Sequence, residues 1–341
     1  MKAHGAASAR VGGKLMICGE YSVLLPGGVA LSVPVEGDMF VSIETASVDR
    51  ATSESLELQD APFDSDPRLV FVQQSVRAVR ALLGVSQSVR VNVRGRLGGS
   101  KLGKLGLGTS AAVCVGAVSA SWSLFAPREE LTTEALFRLA HLAHSSAQGS
   151  LGSGYDVASI AMGGPGAVLY TPAEARRFPS TDWARSLTRR WLDEEWPELC
   201  IERMSWPVGL RARAIFSGQP AHTPELLSAA RTVATAEHLE PMRKAAWALA
   251  EAWAREPATA ILGHVRAAQI AFEHWNAHHG LGLVPSSVRS LCDAIAGAGA
   301  VARVSGAGGG DCVLAFYTDS EVSARLDAYV AEHGLTAIPI R

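Results

Sequence analysis

The sequence predicts a two-domain α+β protein, and three observations carry that prediction. Its 341 residues exceed what one hydrophobic core ordinarily serves. Apolar residues recur with a period of two in some stretches and of three to four in others, so strands and helices both occur. They are mixed without the regular strand–helix–strand order of a parallel sheet. The chain divides into residues 1–172, a connecting stretch 173–206 richer in charge and tryptophan, and residues 207–341.

Residues 14–18 and 29–35 are apolar runs parted by the turn residues Pro26-Gly27-Gly28 and read as strands, and 39–44 and 54–58 continue a meander. From Arg68 the pattern changes. Leu69, Val72, Val76, Val79 and Leu83 recur at three and four, an amphipathic helix stopped by Gly84. Val89, Val91 and Val93 alternate with Arg90, Asn92 and Arg94, a half-buried strand. Ala111 to Val118 reads as a buried helix opening at Thr109 or Ser110. A further helix from Thr132 to about Ser146 puts Leu136, Leu139 and Ala143 on one face. A Gly/Ser loop, a short helix and a strand follow. Trp183, Trp191, Trp196 and Trp206 read as packing residues rather than a ligand cage. The last third carries a strand at 210–216, helices near 224–254 and 257–278, and a helix capped by Ser286 that turns Val288, Leu291 and Ile295 inward. Strands at 300–304 and 312–317 and a helix at 320–333 closed by Gly334 complete it.

Composition narrows the function. Acidic and basic residues are interspersed to a net charge of −2, with no basic block, which argues against nucleic acid as a partner. The five cysteines lie far apart with no CxxC pair, so neither a disulfide framework nor a zinc site is indicated and a reducing compartment fits. The N-terminus lacks the apolar core of a secretory signal, and no run approaches the ~18 apolar residues of a membrane span. A soluble cytoplasmic protein acting on a small molecule, as a monomer or a homodimer, is the expectation.

The residues that carry chemistry begin with "KLGLGTSAAV" at 104–113. Gly106 and Gly108 let the backbone bend, and the helix that follows presents unpaired N–H groups and a partial positive charge, which suit a phosphate. A helix capped by Thr109, its glycines serving only the turn, accounts for the same residues. Three other stretches align with it: "GKLMICGEYSVLLPGG" near the N-terminus, "GSGYDVAS" around Asp156, and "SGAGGGDC" between the two late strands. In this order and spacing they resemble the GHMP kinases, the family of galactokinase, homoserine kinase, mevalonate kinase and phosphomevalonate kinase.

That resemblance covers nearly the whole chain. It implies an N-terminal domain like domain 2 of ribosomal protein S5, a ferredoxin-like C-terminal domain, and an active site between them. It implies phosphoryl transfer from ATP with Mg²⁺. Gly106, Leu107, Gly108, Thr109, Ser110 and Ala111 would cradle the nucleotide phosphates, with the Ser110 hydroxyl as the metal ligand. Asp156 would be the base, Lys14 its partner, and Lys104 a further catalytic cation. Glu20, Tyr21, Ser153, Gly154, His222, Thr223, Gly306, Ala307 and Gly308 would meet the acceptor. "GEY" at 19–21, Lys104, "SGQPAHTPELL" at 217–227 and the terminal "DC" of the third motif are similar to the branch whose acceptor is 5-phosphomevalonate. The chain departs from the common pattern at Thr109, at Arg303, and at Ser145, where mevalonate kinases carry a magnesium-binding Glu eleven residues before the Asp. The alternatives are a mevalonate kinase or another small-molecule kinase of this family, or a non-catalytic sensor that binds ATP and a metabolite.

Overall fold

Two long antiparallel strands, β1 (Ala6–Cys18) and β2 (Ala30–Thr45), frame the N-terminal half. The computed structural model describes residues 5–95, 97, 106–149, 152–173, 183–218, 228–230, 232–310 and 312–340. The apolar runs 29–35 and 39–44 are one continuous strand. The polar residues 36–38 between them interrupt the apolar pattern and shift the register opposite Gly12, but they do not reverse the chain. The expected strand at 54–58 is instead the turn and first residue between β3 (Arg50–Ser53) and β4 (Leu58–Pro62).

Helix α1 (Val70–Leu83) ends at Gly84 in the left-handed conformation, and β5 (Val89–Arg94) buries Val89, Val91 and Val93 as their alternation requires. Helix α2 (Thr109–Phe125) packs on β1 and β2 between α1 and α3 (Thr133–Ala147), whose N-cap Thr132 accepts from Ala135 N at 3.2 Å. The short helix α4 (Tyr155–Met162) leads into β6 (Ala167–Thr171).

The stretch expected to connect the domains is largely built into the first one. Helices α5 (Trp183–Ser186) and α6 (Arg189–Asp193) lead to β7 (Cys200–Met204), which pairs antiparallel with β6. Trp183, Trp191 and Trp196 are buried and anchor it to the main core, so a few large apolar side chains hold a segment whose composition is polar. The resulting seven-stranded sheet runs β4-β3-β5-β2-β6-β7, with β1 on the other edge of β2.

The C-terminal half is β8 (Arg211–Phe216), α7 (Ala236–Arg255), α8 (Ala258–His278), α9 (Ser286–Gly297), β9 (Val301–Val304), β10 (Cys312–Tyr317), α10 (Ser320–Glu332) and β11 (Thr336–Pro339). Its antiparallel sheet has the order β11-β8-β10-β9, the ferredoxin-like arrangement of split β-α-β units. Strand β11, short and only half-buried, left no periodicity for the sequence to show. Pro285, not Ser286, occupies the N-cap of α9 and no side chain caps it. Both faces of this sheet are covered. Ala212, Ala214, Phe216, Leu314 and Phe316 join the core shared with the first domain, while Ile215, Val313, Ala315 and Tyr317 join a second core under α9 and α10. None of the five cysteines forms a disulfide, and burial pushes Cys18 and Cys114 up to about 12, so those two behave as small apolar residues. Among the described residues no helix is long and apolar enough to cross a membrane.

The end of β1 joins the halves. Met16 exchanges hydrogen bonds with the Ser305 hydroxyl at 3.1 and 2.9 Å. The Arg303 guanidinium donates to Ile17 O at 3.0 Å, to Gln269 Oε1 at 2.9 Å, and to Glu20 Oε2. Both charged side chains of the Arg303–Glu20 pair are 1% exposed. Burial pushes the Glu20 carboxyl above its ordinary range, and Arg303 opposes that rise. Breaking such a pair leaves one buried charge uncompensated, whereas removing both groups does not. Arg303→Met is therefore expected to lower the unfolding free energy by about 3–5 kcal/mol. Glu20→Gln combined with Arg303→Met should recover most of that loss, as read by urea denaturation.

Candidate active site

The bend before α2 is fastened to β1. Lys14 N donates to Leu107 O at 2.9 Å, and Lys14 Nζ donates to Gly106 O at 2.8 Å. Gly108, at φ 79°, takes the N-cap position, and no side chain caps the helix. Thr109 is the first helical residue and is exposed, so it does not act as the cap. The N–H groups of the first turn are thus left for a ligand, and the helix dipole favours an anion there. Leu107 and Ala111 are buried and hold the bend to the core, so only their backbone is offered to a phosphate.

Helix α4 opens at Gly154, again without a side-chain cap. Asp156 lies in its first turn rather than at the cap. Its Oδ1 accepts from Val157 N at 2.9 Å, and its Oδ2 stands 3.8 Å from His144 Nε2. Tyr170 fixes the preceding turn by donating to Ser153 O at 2.6 Å. Lys14 reaches the same cleft as Asp156, with its ammonium 5.3 Å from the centre of the Tyr155 ring. Burial pushes the Tyr155 phenol above its ordinary range, with Lys14 opposing, so the hydroxyl keeps its proton.

The third glycine loop closes the cleft from the C-terminal domain. Tyr21, a non-glycine residue at φ 55°, donates its hydroxyl to Ala307 O at 2.7 Å and packs its ring 4.8 Å from that of Trp275. Gly306 and Gly308 differ in what they require. A Cβ on Gly308 (φ 83°) would lie 2.6 Å from Leu283 O, whereas beside Gly306 (φ 76°) there is open space. Gly308 is thus demanded by packing within its own domain, and Gly306 is the glycine open to the cleft.

The cleft measures about 320 Å³ and gathers Lys14, Glu20, Tyr21, Gly106, Gly108, Ser153, Asp156 and residues 305–308. A larger groove of about 1040 Å³ is lined mainly by glycine, proline and aliphatic residues, with Arg10 and Glu36 its charged members, and carries no comparable set of groups. Glu20 and Tyr21, expected to touch substrate, commit polar ends to Arg303 and to Ala307, and so position the two domains and the third loop. Lys104, His222 and Thr223 lie outside the described residues. The sequence reading missed Tyr155 and His144. His144 is 1% exposed, and its Nε2 lies 3.0 Å from Ser110 Oγ. Two histidines three apart, His141 and His144, in an otherwise apolar turn of α3 were the available signal.

The oxygen chemistry suits Mg²⁺ only in part. Ser110 offers a hydroxyl and Asp156 a carboxylate near one imidazole nitrogen, but among the described residues no group of three His, Cys, Asp or Glu can hold a metal. Such a site fits a cation that arrives on nucleotide phosphates and keeps most of its waters, as Mg²⁺ ordinarily does.

A seven-stranded sheet domain joined to a ferredoxin-like domain, with an uncapped helix N-terminus and a glycine loop on one cleft, suits the binding of a polyanion beside a second small molecule. The sequence pattern of the GHMP kinases N terminal domain matches residues 71–164, and that of the GHMP kinases C terminal matches residues 258–334. A phosphomevalonate kinase of Streptomyces sp. (strain CL190) is 30% identical, over 91% of this chain and 89% of that protein. The structure of Streptococcus pneumoniae phosphomevalonate kinase in complex with phosphomevalonate and AMPPNP superimposes with a TM-score of 0.82 at 23% identity, covering 97% of this chain and 99% of that one. The Methanococcus jannaschii mevalonate kinase structure gives a TM-score of 0.70 at 14% identity, covering 99% and 98%. The chain belongs to the GHMP kinase family, and it is a phosphotransferase.

The two glycines of the third loop should respond differently to a methyl group. Gly308→Ala is expected to lower Tm by several degrees, because the backbone strain of about 1–2 kcal/mol is joined by the overlap with Leu283. Gly306→Ala should cost no more than the strain alone and should act mainly on KM. Thermal denaturation and steady-state kinetics of the two variants check this.

Proposed function

We propose that this kinase transfers the γ-phosphoryl group of ATP to the phosphate of 5-phosphomevalonate, giving ADP and 5-diphosphomevalonate in isoprenoid precursor synthesis. The observation that carries the proposal is the cleft itself. The free N–H groups of α2, the Lys14 ammonium and the first turn of α4 converge on one side, and the third glycine loop closes the other. The choice of acceptor rests on the 30% identity to the Streptomyces enzyme and on the motif details. In the transfer, an acceptor phosphate oxygen bonds to the γ-phosphorus while the bond from that phosphorus to the β,γ-bridging oxygen breaks and its electrons leave with ADP.

Little covalent help is needed from the protein; positioning and charge neutralisation do most of the work. Backbone N–H groups of residues 108–111 hold the nucleotide phosphates. Lys14 counters the charge that two polyanions bring together, and Lys104, beside the phosphate loop, is proposed to add to it. Mg²⁺ on the nucleotide would be held by Ser110, and it supplies further charge neutralisation when bound. A phosphomonoester with a second pKa near ~6 is mostly dianionic at pH 7. Asp156 therefore has less to do as a base than it would for an alcohol, and it aligns the acceptor and takes the residual proton. Segments 217–227, with His222 and Thr223, are proposed to contact the acceptor. Action in the cytoplasm fits the absence of a disulfide among the five cysteines.

An ADP-release assay over mevalonate, 5-phosphomevalonate, homoserine and galactose tests the reading. Turnover is expected with 5-phosphomevalonate alone. Turnover of an alcohol instead, or binding of ATP and metabolite without release of ADP, would replace it. Asp156→Asn adds a second check. With an acceptor that ionises on its own, residual kcat/KM should rise with pH through about 6 and then level off. A flat and nearly absent rate over that range would point to a hydroxyl acceptor.

A further inference from the structure

Ser145 stands where relatives of the mevalonate type place a metal-binding carboxylate, and its buried hydroxyl has no hydrogen-bond partner among the described residues. The neighbouring residue, His144, is the one that faces the phosphate loop. Four helices meet at its ring. It rises from the last turn of α3, and its Nε2 touches Ser110 on the first turn of α2 at 3.0 Å. The same nitrogen stands 3.8 Å from Asp156 Oδ2 on the first turn of α4. Phe71 of α1 packs against the ring at 5.5 Å between centroids. At 1% exposure no solvent rearrangement can substitute for these contacts.

The distances discriminate between the two ways of sharing a proton. A nitrogen-bound hydrogen at Nε2 would have a carboxylate, the stronger acceptor, to bond to. Asp156 instead stands beyond hydrogen-bond reach and directs Oδ1 to Val157 N, while a hydroxyl able to donate lies at ordinary bonding distance. A serine hydroxyl has one hydrogen and two lone pairs. If the hydrogen is given to His144, both lone pairs face away from the imidazole.

We infer that His144 is a positioning residue: its Nε2 accepts the Ser110 hydroxyl hydrogen and so turns the lone pairs of Ser110 Oγ toward the Mg²⁺ that accompanies the nucleotide. The inference rests on the kinase reading and deepens it, by naming the group that prepares the hydroxyl proposed to hold the cation. Outer contacts of this kind typically change metal affinity by about 10–100-fold.

The test compares binding of AMPPNP, with saturating Mg²⁺ and with EDTA, in wild type, His144→Met and His144→Gln. Methionine fills the buried site with only a weakly accepting thioether near Ser110, whereas the Gln amide oxygen can take the hydroxyl hydrogen where Nε2 did. The Met variant should lose about tenfold or more of the Mg²⁺-dependent affinity, and the Gln variant less than about threefold. The EDTA affinities should agree across all three. His144→Asn, polar but too short to reach Ser110, should behave as Met does and supplies the contrast if the Met variant does not fold. A long-range ¹H–¹⁵N spectrum of the wild type should show His144 Nε2 without a proton. Parallel loss with and without metal, equal loss in Met and Gln, no loss in Met, or a protonated Nε2 would each overturn the inference. Failure of the wild type to bind AMPPNP at all would remove the kinase reading along with it. Binding without Mg²⁺ dependence would remove the inference alone.

Discussion

The buried pair of Arg303 and Glu20 is the interaction on which the site depends. It sits where β1 of one domain meets β9 of the other, and the same guanidinium also grips Ile17 O and Gln269. The end of β1, a glutamine of α8 and a carboxylate are thereby drawn onto one cation. An ion pair so deeply buried is weak as a net source of stability, yet costly to break by halves. Its effect is to set where the third glycine loop lies relative to the phosphate loop. Ser305, Gly306 and Ala307 follow within four residues of Arg303, and Lys14 and Met16 lie on β1, which ends two residues before Glu20. A shift at the pair moves both walls of the cleft.

A second constraint is electrostatic. A chain with a net charge of −2 has no surplus of cations to spend on a polyanionic substrate. The answer in this structure is local. The uncapped first turns of α2 and α4 both open near the cleft, and Lys14 is held between Gly106 O and the face of Tyr155. Backbone dipoles already fixed in place need no reorganisation when charge develops. Rigidity therefore matters more than the number of charges, and it comes from Leu107 and Ala111 packed in the core beneath the loop.

How far the sequence could be read followed from where each element buries its side chains. Helix α1 and strand β5 each have one wet and one dry face, and their periodicity was legible to within a residue or two. Strand β2 was not legible as one strand, because its polar middle residues look like a turn until β1 is seen to run alongside. The tryptophan stretch before β7 was read as a connector because its charge outweighs its three buried rings. Helix α3 is buried nearly all round in its last turns, so periodicity could not single out His144.

By itself the sequence determined the three glycine-rich stretches, the aspartate at the start of a short helix, and the alternation of strand and helix, because these depend on local backbone geometry and side-chain chemistry. It thereby also determined the family. Tertiary structure decided what each polar group is used for. Glu20 and Tyr21 line the cleft, but Arg303 and Ala307, far away in the chain, each take a polar atom of theirs. Gly308 is glycine for the sake of Leu283, and Ser110 faces a histidine that no motif contains. A side chain's role is set by its nearest partner in space, and those partners come from elements that only folding brings together.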